Sequence, residues 1–176
     1  MKSTLRNMVL SLTGITVFAA LGLGAVNLLT KEPIAEASRA ARNAALEAVL
    51  PPFDNISATA DTLPEGLVVF HATNGGVPSG TAVQTFSDAG FSGRITLLAG
   101  FDNSGALTGY RVLQHAETPG LGARMEEWFS TEPHAVVGAT ESLQVKADGG
   151  DIDAITGATI TSRAFLEAIN KARKAL

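Results

Sequence analysis

Thr156, Gly157, Ala158, Thr159 and Thr161 gather hydroxyls and small residues at the start of a C-terminal segment with helical spacing. From Thr161 onward, Phe165, Leu166, Ala168, Ile169 and Ala172 recur every three or four residues, with Arg163, Glu167, Lys171 and Lys174 between them, the pattern of an amphipathic helix. A helix N-terminus offers amide N–H groups without intrahelical partners and a partial positive charge. A loop with Gly157 and Ala158 at that end leaves room for an anion such as a phosphate to approach the backbone. The same threonines suit a plainer task, because Thr156, Thr159 or Thr161 can each serve as an N-cap. Spacing alone does not separate the two readings.

A second string, HAETPGLGAR from His115 to Arg124, ends a strand-like run and turns through Pro119, Gly120 and Gly122. Proline and glycine at these places set a tight loop with little side-chain bulk, suited to a planar ligand or to a simple strand-to-helix turn. His115 and Glu117, two apart on the expected strand, share a face. No third ligand accompanies them, so no metal site is expected. His71 and His134 read as surface or turn histidines, Trp128 and Phe129 as core residues of a short helix, and DGGD (148–151) as a turn. GLG and GATITS do not form the glycine fingerprint of a dinucleotide fold.

Asp153, Thr156, Gly157, Ala158 and Thr159 reproduce in full the flavinylation motif of FMN-binding domains, to which this segment is similar. The resemblance implies that Thr159 carries one covalent FMN through a phosphoester, and that Asp153 belongs to the sequence read by a separate flavin transferase. ETPGLG resembles the second hallmark of that family. By that resemblance Glu117 and Thr118 make polar contacts to the flavin, Leu121 an apolar one, and Thr156, Gly157 and Ala158 complete the binding loop. With TKEPIAEAS, SGRITLLAGFD and KADGGDIDAITGATITSRA, the chain as a whole resembles the G subunit of Rnf electron-transport complexes. The flavin-bearing C subunit of sodium-translocating NADH:quinone reductases is similar as well. The implied role is an electron relay with no substrate turnover of its own, among membrane, iron–sulfur and flavin subunits of an ion-translocating ferredoxin:NAD oxidoreductase. A membrane-tethered scaffold and a stand-alone flavin reductase remain alternatives.

Residues Met8 to Leu29 carry no charge, and 22 residues in a helix reach about 33 Å, enough to span a bilayer. A cleaved signal peptide is the rival, with Lys2 and Arg6 as its basic start, but the apolar run is long and lacks a clean small-x-small site. Lys2 and Arg6 before the run, with no acid among the first 31 residues, favour an inward N-terminus. The expected organisation is a cytoplasmic tip (1–7), a membrane helix (8–29), a helical linker (30–52) stopped by Pro51 and Pro52, and an FMN-binding domain (53–176). The domain then faces the periplasm or the cell exterior, with lipid around the helix.

Beyond Lys31 the chain holds 10 basic side chains against all 17 acidic ones, which argues against a nucleic-acid partner. Cysteine is absent, excluding disulfides and cysteine-ligated clusters. Strand-like runs GLVVFHA, TAVQTFS, GRITLLAGFD and ALTGYRVLQ alternate with turn-forming TNGG, DAGFSG and DNSG, as in an antiparallel meander. The fold class is α+β: one transmembrane helix, then a single domain with an antiparallel sheet and packed helices.

Overall fold

The computed structural model describes residues 4–59 and 66–176; Lys2, in the basic tip expected over 1–7, lies outside them. The chain forms two units, Met1–Ala41 and Arg42–Leu176. Helix α1, Leu5–Val49, supplies the described part of the first unit and enters the second. Pro33 lies inside it. Proline removes one N–H, here the donor to the Leu29 carbonyl, but its ring holds φ near the helical value, so the segment after the apolar run starts without a break. An 18-residue window of mean hydropathy 2.1 with no burial makes α1 long and apolar enough to cross a membrane. The helix ends just before Leu50, Pro51 and Pro52.

The second unit is built on a five-stranded antiparallel meander in the order β1 to β5. Its strands are Asn55–Thr59 (β1), Val68–Asn74 (β2), Val77–Gly90 (β3), Gly93–Asp102 (β4) and Leu107–Gln114 (β5). Strands β2 to β5 fall on the four runs marked by alternation and turn residues, while β1 lies outside them. A short helix α2, Met125–Trp128, and the C-terminal helix α3, Thr159–Arg173, follow the sheet. The α+β class and antiparallel sheet stand as expected.

Both faces of the sheet are covered. Alternate residues Ile95, Leu97, Ala99 and Phe101 of β4 pack with Val83 into a core completed by Phe165, Leu166 and Ile169 of α3. On the other face, Leu98 and Ala82 meet Ala45, Leu46 and Val49 from the end of α1. Burial from both sides explains why β4 reads as an unbroken apolar run rather than an alternating one. Gly100 is the point of closest approach, where a Cβ would strike the Val49 carbonyl, and the Thr108 hydroxyl donates to that same oxygen.

The meander decides which loops meet. Its β3–β4 turn and the segment leaving β5 fall at one end of the sheet, the β4–β5 turn at the other. Arg173 at the end of α3 donates to the carbonyl of Gly105 in the β4–β5 turn at 2.7 Å. Fifteen helical residues reach about 22 Å, so the first turn of α3 arrives at the opposite end. The two motif loops and the β3–β4 turn are thereby brought together. Replacing Gly100 by Ala is expected to lower stability by about 1–3 kcal/mol by overpacking. An exposed Val77→Ala control changes it by less than about 0.5 kcal/mol, as urea unfolding of the full chain in detergent would measure.

Candidate functional site

The first turn of α3 is not capped by a threonine. Its N-cap is Ala158, which makes no side-chain cap bond. Each hydroxyl has another position. Thr156 is exposed, Thr159 is the first helical residue and half-buried, and Thr161 is buried. Ser162 locks the turn instead, its Oγ donating to the Ala158 carbonyl and accepting from the Ile155 amide, both at 3.0 Å. Gly157, at φ +77°, makes the left-handed turn into the helix. The first amides of a helix have no intrahelical partner, and those of α3 begin at Thr159.

Glu117 organises the surroundings. It lies beyond β5, which ends at Gln114, so His115 and Glu117 do not share a strand face as expected. The backbone turns there, and the Glu117 amide donates to Nδ1 of the exposed His115 at 3.2 Å. Glu117 is only 5% exposed. Thr161 Oγ1 donates to its Oε2 at 2.6 Å, and the Ser92 amide in the β3–β4 turn donates to its Oε1 at 3.0 Å. A Cβ on Gly90 would come within 2.8 Å of Oε1, and one on Gly122 within 2.7 Å of Oε2. One carboxylate therefore ties three segments, and its charge faces the positive end of α3.

These segments enclose a cavity of about 350 Å³, within the range of small-molecule sites. Glu117, Thr118, Leu121, Gly157, Ala158 and Thr159, all marked in the sequence, line it; Thr156 and Asp153 do not. Phe91, Gly122, Ile160 and Thr161 complete the lining. Phe91, Leu121 and Ile160 are 67%, 43% and 48% exposed, giving the cavity an apolar wall beside its polar helix end. Larger hollows, of about 500, 460 and 370 Å³, lie elsewhere, and the second of them takes only Ala123 and Arg124 from the end of the HAETPGLGAR string. An apolar slot beside a helix N-terminus and the Thr159 hydroxyl suits a planar ring carrying a phosphate, so the residues present fit FMN.

Asp153 anchors the approach to this loop. Its carboxylate accepts from Lys146 Nζ at 2.8 Å, and its carbonyl accepts from Trp128 Nε1 at 3.0 Å. Trp128, at the end of α2, stacks on His134 with ring centroids 4.1 Å apart. His134 is thus part of a packed cluster rather than an isolated turn residue. Phe129 is fully buried and stacks on Phe165, as a core residue should. His71 is exposed on β2. The DGGD turn is braced by two hydrogen bonds of 2.7 Å between Asp148 and Arg163.

Residues 90–174 match the FMN-binding domain family, a stretch that begins at the β3–β4 turn and includes every residue lining the cavity. The second unit thus contains an FMN-binding domain. Over 90% of its length the chain is 38% identical to the G subunit of the ion-translocating oxidoreductase complex of Photorhabdus laumondii, covering 86% of that protein. The corresponding proteins of Pseudomonas aeruginosa PAO1 and Escherichia coli K12 are 38% and 36% identical, over 97% and 90% of this chain and 87% of each relative. The chain belongs to this G-subunit family of the Rnf type. With its apolar N-terminal helix, it is a membrane-anchored protein.

Removing the Glu117 side chain leaves the Ser92 amide and the Thr161 hydroxyl without their acceptor. Glu117→Ala should cost about 1–3 kcal/mol, and Glu117→Gln less, because its amide oxygen still accepts one bond. The shift of the urea midpoint in detergent checks this. The hydrogen bond from Arg163 holds the Asp148 carboxyl below its ordinary 3.8. Its contribution is complete above that pH and fades as pH falls through the lower folded-state value. Wild type and Asp148→Asn should therefore differ in melting temperature at pH 6 and converge on acidification below about 3.8.

Proposed function

We propose that this chain is the electron-transfer flavin subunit of an Rnf-type ion-translocating oxidoreductase, with one FMN esterified to Thr159. The observation that carries the reading is the meeting of two motif loops, separated in sequence by the whole segment from Arg124 to Asp153, in one cavity whose rim includes Thr159. Within the GATITS loop the Thr161 hydroxyl is held by Glu117 and Thr156 stands outside the lining, which supports Thr159 as the point of attachment that the motif marks. Family membership supports FMN as the group and an Rnf complex as the setting.

Each part of the chain has a task in this reading. The amides at the start of α3 and the dipole behind them stabilise the phosphate charge. Gly157 and Ala158 give that phosphate access to the backbone. Leu121 and Ile160 offer apolar surface to the ring, and Thr118 a polar contact at its edge. Glu117 braces the loops through Thr161 and Ser92. Bound FMN would supply reversible uptake and release of single electrons. Attachment keeps the carrier from diffusing away and fixes its effective concentration beside its electron partners.

The bond is made by a separate flavin transferase that takes FAD as donor. Thr159 Oγ1 forms a bond to the FMN phosphorus, the pyrophosphate P–O bond breaks, AMP leaves, and the hydroxyl proton passes to the transferase. Asp153, with its side chain 42% exposed, stands six residues before Thr159 as a recognition element for that enzyme. The proposed organisation keeps residues 1–7 inside, a span over 8–29, a linker over 30–52 and the flavin domain outside the cytoplasmic membrane. Membrane lipid surrounds the span, and the iron–sulfur, flavin and membrane subunits of the complex are the electron partners. The acidic balance of the outer part fits no nucleic-acid role.

The test is production of wild type, Thr159→Ala and Thr159→Ser with a flavin transferase present, followed by flavin fluorescence in a denaturing gel. Wild type should fluoresce and Thr159→Ala should not. Because Thr159 caps nothing, Thr159→Ala should shift stability by less than about 0.5 kcal/mol, while electron transfer by the assembled complex is lost. Normal electron transfer with the Ala variant would instead favour a tethered scaffold.

A further inference from the structure

Phe91 is a residue for which the fold alone gives no use. It occupies, with Ser92, the two-residue tip of the β3–β4 hairpin between paired Gly90 and Gly93. Such tips favour Gly, Asn and Asp, which meet the turn geometry at little cost. Here the tip instead holds a large aromatic side chain that is 67% exposed. The backbone of the tip is held, because the Ser92 amide donates to Oε1 of Glu117 at 3.0 Å and Gly90 lies close against the same carboxylate. The brace fixes the tip where Phe91 lines the same cavity as Thr159.

Resting on the reading of Thr159 as the FMN attachment point, we infer that Phe91 is the aromatic wall of the flavin-ring slot. Glu117 acts as the positioning residue that holds this wall in register with the start of α3. A planar ring entering the cavity covers apolar surface that Phe91 otherwise gives to water, and aromatic faces stack or meet edge-to-face favourably. The carboxylate serves the ring through the hairpin it holds, in addition to bracing Thr161. The arrangement explains why the tip of this hairpin, rather than that of β2 and β3, carries the aromatic residue.

The experiment uses the full chain, flavinylated by co-produced transferase and held in detergent, with intact mass recorded for every variant. In Phe91→Trp an indole is placed against the ring, and indole quenches flavin emission on contact. Native flavin fluorescence should drop several-fold below wild type at equal FMN mass and recover on denaturation. In Phe91→Ala, quenching of flavin fluorescence by iodide should rise several-fold, because the wall is gone. Val77→Trp, on the hairpin at the other end of the sheet, should leave both readouts at wild-type values. Unchanged emission in Phe91→Trp and unchanged iodide quenching in Phe91→Ala, with the FMN mass present, would overturn the wall while leaving attachment intact. Absence of the FMN mass from wild type would overturn the attachment and the wall together.

Discussion

A buried carboxylate is tolerated only when donors meet it, and Glu117 satisfies that constraint by drawing two distant segments onto itself. The Thr161 hydroxyl and the Ser92 amide reach its two oxygens from α3 and from the β3–β4 turn. Gly90 and Gly122 have no room for a side chain, because the Gly93 carbonyl crowds the first, the Thr161 side chain the second, and the carboxylate both. The cavity beside Thr159 is a by-product of this clamp. Without it, these loops would lose the two hydrogen bonds that join them at this edge of the sheet.

The sheet sets the scale on which the clamp works. A meander of consecutive antiparallel strands places alternate turns at opposite ends, and α3 is anchored at the far end by Arg173 on Gly105 and Ala139. Along its length Thr85 donates to the Ala168 carbonyl and Ser87 to Glu167. The helix is thus fixed in register with β3 before its first turn meets Glu117. On the opposite face, the end of α1 sits so close to β4 that Gly100 has no room for a methyl group. The last turns of the long helix are therefore part of the domain core rather than a loose tether.

Much of this was legible in the chain. Runs such as GRITLLAGFD and ALTGYRVLQ, separated by glycine-rich turns, marked β4 and β5 closely, and the C-terminal periodicity marked α3. Strand β1 escaped because NISAT is only five residues long and its alternation rests on one large apolar side chain, Ile56, with the small Ala58. The burial of Glu117 could not be read, since its donors lie 25 and 44 positions away and a Glu in a Pro–Gly loop looks solvent-exposed. Phe91 left one trace, an aromatic residue in a turn otherwise made of Gly, Ser, Ala and Asp, which hydropathy patterns pass over. His134 appeared isolated because its partner Trp128 is close in space across a turn that periodicity does not describe.

The proposed attachment puts the flavin phosphate on Thr159, one of several hydroxyls in a short loop. Thr156, Thr159, Thr161 and Ser162 lie within seven residues of one another, so whole-protein mass cannot tell them apart. Peptide mapping by tandem mass spectrometry of the flavinylated chain can. FMN, less water, is expected on Thr159 alone, with Thr161 and Ser162 unmodified because Glu117 and the helix turn hold them. FMN found on Thr156 or Thr161, or on no residue of this loop in a protein made with active transferase, would contradict that attachment.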